Sequence, residues 1–88
     1  MAAKRDSHVV LVVHVTDRLK KAPLVQSTLS KFGDVIRTRL GLHEVGKEYS
    51  APGGILILDI VNEARARQLR NALDRIAGIE TKLIVFKH

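Results

Sequence analysis

The chain has 88 residues, 15 of them Lys or Arg against nine Asp or Glu, for a formal charge of +6 and a pI near 10.2. That length holds one small domain, with a core modest enough that assembly would help it. It contains no cysteine, which excludes a disulfide framework, a thiolate nucleophile and an iron–sulfur or zinc centre held by cysteines of this chain.

Residues 1–7 are polar and are expected to form a flexible lead into a domain over 8–88. Residues 8–16 are β-branched and apolar on both faces, the pattern of a central strand. Their apolar core, Val9 to Val13, is too short for a signal peptide. No run approaches the ~20 residues of a bilayer span, so a cytoplasmic chain without a membrane partner is expected. Asp17 is a candidate helix cap, and Pro23 suits a first helical turn. Leu24, Val25, Thr28, Leu29 and Phe32 then recur at helical spacing, which predicts a helix from about Lys21 to Phe32 with Gly33 as its left-handed stop.

A second strand is predicted over 35–43, with Ile36, Thr38, Leu40 and Leu42 on one face and Arg37, Arg39 and His43 on the other. The polar stretch Glu44 to Gly54 reads as a long hairpin loop. Ile55 to Val61 is the third strand, apolar on both faces except at Asp59. Asn62 caps a second helix reaching about Ala77, with Leu69, Ala72, Leu73 and Ile76 on its inner side. Gly78 closes it, and Ile79 to Phe86 is the last strand.

The order is β-α-β-β-α-β, an α+β ferredoxin-like arrangement. Right-handed crossovers place the first and third strands centrally in a four-stranded antiparallel sheet, with both helices on one face. The other face should then be polar in a monomer. Instead each central strand keeps two β-branched residues there: Val10 and Val12 in the first, Ile55 and Ile57 in the third. A patch of this kind marks an interaction surface, and a homo-oligomer, dimer or tetramer, is the expected partner. By parity the same face would carry His14, Asp59, Arg37, Arg39 and His43, making it the candidate interface or ligand site, open to a small-molecule or anionic ligand. A carboxylate in such a patch calls for a cationic partner, so Asp59 is expected to pair with an arginine or histidine nearby or across an interface.

Catalysis and cofactors are not expected. His8 and His14 share a strand face but stand ~20 Å apart at strand rise, too far to hold one ion, so no metal site is predicted. No Ser–His–carboxylate set or apolar carboxylate pair suggests catalysis. The alternative function is a basic domain that associates with nucleic acid. It is disfavoured because Phe32, Tyr49 and Phe86 are the only aromatic residues on which bases could stack. Glu63–Arg67 and Arg70–Asp74, both at i,i+4 spacing, would also balance much of the second helix's charge.

Val9 to Asp17 entering a helix, Arg39-Leu40-Gly41-Leu42, and Ile76-Ala77-Gly78-Ile79 with Lys82 and Lys87 give residues 8–88 a family likeness. The chain resembles the iron-only hydrogenase system regulators. The resemblance implies an ACT-like domain, similar in fold to the C-terminal domain of the nickel-responsive repressor, which assembles as tetramers. It implies a regulatory or ligand-sensing module without catalysis. The repressor's clustered histidines and cysteine have no counterpart among the four scattered histidines here.

Overall fold

The computed structural model describes residues 7–16, 18–42 and 54–87. Six elements follow in the expected order: β1 (Ser7–Val15), α1 (Arg18–Ser30), β2 (Ile36–Leu42), β3 (Gly54–Ile60), α2 (Glu63–Asp74) and β4 (Ile79–Lys87). The strands form one antiparallel sheet in the order β2-β3-β1-β4. The hydrophobic strands β1 and β3 are therefore central, as expected for a ferredoxin-like fold. Among the described residues no helix is long and apolar enough to cross a membrane.

Alternation decides which side of the sheet is buried. Val9, Leu11, Val13 and Val15 of β1 lie with Leu58 and Ile60 of β3 beneath the helices and are almost fully buried. Val25 and Leu29 of α1 and Ala66, Leu69 and Leu73 of α2 complete this core. From β4, Ile79, Leu83 and Val85 pack on its flank. Leu24, expected on the inner stripe of α1, instead stands 52 % exposed.

The second helix starts as its sequence implies. Asn62 takes an extended conformation, and its Oδ1 accepts from the Arg65 amide at 2.9 Å, satisfying one of the donors that a helix start leaves free. It stops at Asp74, three residues short of the expected Ala77, and the chain turns through Gly78 at φ 86°. The Thr16 amide donates to the Gly78 carbonyl at 2.9 Å, tying the exit of β1 to the entry of β4.

Three local expectations are corrected. Helix α1 begins at Arg18, so Pro23 lies inside it rather than in its first turn; lacking an N–H, Pro23 leaves the Leu19 carbonyl without that bond. Gly33 is not left-handed. The helix instead unwinds through i→i−3 bonds, Phe32 N–H to Leu29, Gly33 N–H to Ser30 and Val35 N–H to Phe32, which satisfy terminal carbonyls without a positive φ. The pair expected between Arg70 and Asp74 does not form: Arg70 donates to Asn71 and Asp74 accepts from the Thr81 hydroxyl at 2.8 Å. The cap proposed at Asp17 and the hairpin loop through Pro52 and Gly53 lie outside the described residues, as does the flexible lead except for Ser7, which opens β1.

Candidate functional site

The site is the sheet face turned away from the helices, and the strand registers define its rows. Thr38, Asp59, Val10 and Ile84 run side by side across the four strands. Leu40, Ile57, Val12 and Lys82 form the next row, followed by Leu42, Ile55, His14 and Glu80. His8 and Phe86 pair beyond the first row. Directly opposed residues share a face, so a continuous apolar band runs over β2, β3 and β1 through Leu40, Ile57 and Val12. Residues at the margins are freely accessible: Leu40 is 51 % and Phe86 56 % exposed.

Six of the nine expected site residues meet here: Val10, Val12, His14, Ile55, Ile57 and Asp59. Arg39 does not join them. The β2–β3 register slips between Ile36 and Thr38, leaving Arg37 as the extra residue of a β-bulge. Ile36 thus pairs with core Ile60 on the helix side, whereas Thr38, Leu40 and Leu42 turn to the open face. Arg39 pairs with core Leu58 and lies on the helix side, lining a shallow cavity of about 230 Å³ with Leu29, Ser30 and Gly33. Arg39 is turned away from Asp59, whose cross-strand neighbours are Thr38 and Val10. His43 lies outside the described residues.

Sequence reasoning missed the contribution of the edges. Simple alternation puts Leu40 and Leu42 on the face away from the site; the bulge inverts the parity of β2 and brings them onto it. From β4, Glu80, Lys82, Ile84 and Phe86 belong to the site, and their alternation with Ile79, Leu83 and Val85 carries that signal. The face is mixed in charge, with Asp59 and Glu80 beside Lys82 and two imidazoles. Among the described residues no group of three or more His, Asp or Glu side chains gathers as a metal set would. What this surface can do is bury apolar area against a partner and fix its register through a few charges.

Comparison with known proteins supports the fold. No family model matches the chain, and no curated protein matches it. Its architecture is similar to the solved structure of an uncharacterized protein, TM1266, from Thermotoga maritima, with a TM-score of 0.76 at 23 % identity. The match covers 91 % of this chain and 96 % of that one.

Proposed function

We propose that this chain is a non-enzymatic, ACT-like regulatory or ligand-sensing domain that works as a homo-oligomer, two copies packing open sheet face to open sheet face. The observation that carries this reading is the apolar band through Leu40, Ile57 and Val12, with Val10 and Ile84 in the neighbouring row, on the side of the sheet that neither helix covers. The charges favour a second copy of the same chain as occupant. Glu80 and Lys82 alternate on one face of β4, so a two-fold arrangement can set the lysine of each copy against a carboxylate of the other. Four strands ~4.8 Å apart and ~20 Å long give a footprint of about 400 Å² per copy before side-chain relief, below the ~600 Å² per partner at the low end for a specific interface, so side-chain relief and the strand edges must supply the rest. A moderate, concentration-dependent association follows. The regulatory setting rests on the resemblance to the hydrogenase system regulators.

Sedimentation velocity over a concentration series up to tens of micromolar tests the assembly. Wild type is expected to move from monomer to dimer or tetramer. Val12→Glu, which places a charge mid-band while leaving the core intact, is expected to stay monomeric and folded. A wild-type monomer throughout, or unchanged assembly in Val12→Glu, overturns the reading.

The basic second helix favours one competing role. With Arg70 turned to Asn71 and Asp74 taken by Thr81, α2 is less charge-balanced than its sequence spacing implies. Nucleic-acid association would follow from that surface and would weaken steeply with salt. Absence of binding to single- and double-stranded oligonucleotides at low salt removes it.

A further inference from the structure

Gly41 stands in the middle of β2, opposite Leu56, and its missing side chain would point towards α1. Nothing in the backbone requires glycine there. Its φ is not positive, and an added Cβ would meet only the Leu56 Cδ2 at 3.5 Å, an ordinary contact. A glycine inside a strand weakens it and frequently marks a close approach by a ligand or another backbone. Across the gap the facing helix offers another small residue, Ala22. Between them lies a cavity of about 330 Å³, walled by Val15, Val25 and Leu56 and carrying Gln26 on its lining. Leu42 and Ile55 complete its outer wall and also belong to the last row of the open face.

The lining chemistry restricts what can enter. Among the described residues no ionisable side chain contributes to it, so none of them repays the desolvation of a charged ligand. Water finds few partners between Val15, Val25 and Leu56. Gln26 supplies one amide that can accept and donate hydrogen bonds. A cavity of ~150 Å³ is enough to hold benzene, and this one has about twice that volume.

We infer that the Gly41 cavity binds a small, uncharged, largely apolar molecule with the bulk of a bicyclic aromatic ring and one hydrogen-bonding group directed at Gln26. This names the ligand site of the sensing role proposed above and rests on that reading for its purpose. The cavity itself is formed within one protomer.

Titration of the ¹⁵N-labelled chain with indole, followed by amide chemical shifts, tests the site, with benzoate as the charged control. Saturable shifts centred on Gly41, Leu56 and Val25 are expected, with benzoate at least tenfold weaker. Gly41→Val fills the void and should weaken indole at least tenfold while raising the melting temperature; Ala22→Leu fills it from the helix side and should do the same if the first variant folds poorly. Absence of saturable shifts, equal binding of benzoate, or unchanged indole affinity in the folded cavity-filling variants overturns the inference. Sedimentation of the same samples separates the two proposals. An oligomer that ignores indole overturns the cavity alone, and a monomer that binds it overturns the assembly alone.

Discussion

At Gly78 the backbone holds φ at 86° while its carbonyl accepts from Thr16. Space is not the constraint, since an added Cβ would find its nearest neighbours, on Lys21 and Thr16, at 3.7 and 3.8 Å. Conformation is. Gly78→Ala should therefore cost about 1–2 kcal/mol, whereas Gly41→Ala, at an ordinary φ, should leave stability unchanged or raise it; paired chemical denaturation curves compare them. Glu63 gives a pH-dependent counterpart. The hydrogen bond from the Arg67 guanidinium, at 2.7 Å, holds its carboxyl below the ordinary value of 4.5; desolvation opposes this, while the charges of Arg67 and Lys87 add to it. Because the folded value is the lower one, the stabilisation is present above pH 4.5 and fades as pH falls through the folded value. The difference in denaturation midpoint between wild type and Glu63→Gln should accordingly shrink on acidification, and a constant difference would refute the assignment.

At the scale of elements, the bulge at Arg37 decides which residues of β2 face the core. Ile36→Lys should cost about 1.5–3 kcal/mol, the value of a buried aliphatic side chain, while Leu40→Lys on the open face should cost less than ~1 kcal/mol in the protomer. Urea denaturation at concentrations too low for assembly reads both; equal costs would mean that the register is wrong. The same bulge explains how much of the site was legible in the sequence. Continuous β-branched runs identify β1 and β3 as central, and Asn62 announces α2 through its side-chain oxygen. Val10, Val12, Ile55 and Ile57 follow from simple alternation along straight strands. A bulge leaves no comparable mark on composition, since one extra residue inverts parity without altering which residue types are present. Alternation thus places Arg37 and Arg39 on the open face and Leu40 and Leu42 opposite them, the reverse of what pairing gives for Arg39, Leu40 and Leu42. The cavity was hidden for a related reason. It depends on Gly41 and Ala22 facing each other from elements that the sequence alone does not bring together.

For the whole molecule, the helices cover one side of the sheet and the core is only one layer deep. Folding and assembly should therefore be linked by mass action. The melting temperature of wild type is expected to rise across a hundredfold increase in concentration, while that of Val12→Glu stays constant; differential scanning calorimetry at several concentrations measures this, and a flat wild-type series would separate folding from association. Position along the strands adds a practical consequence. Ser7 and Lys87 are register partners in the sheet, so β1 enters and β4 leaves at one pole. Val15 and Gly54, at the Gly41 cavity, mark the other pole, ~25 Å further along β1 at strand rise. A fluorophore, affinity handle or second domain joined at either strand end would therefore sit away from the cavity mouth. Surface immobilisation through that pole should leave the pocket accessible, and a short bridge from Lys87 back to Ser7 offers a route to a circularised or permuted chain with the same sheet.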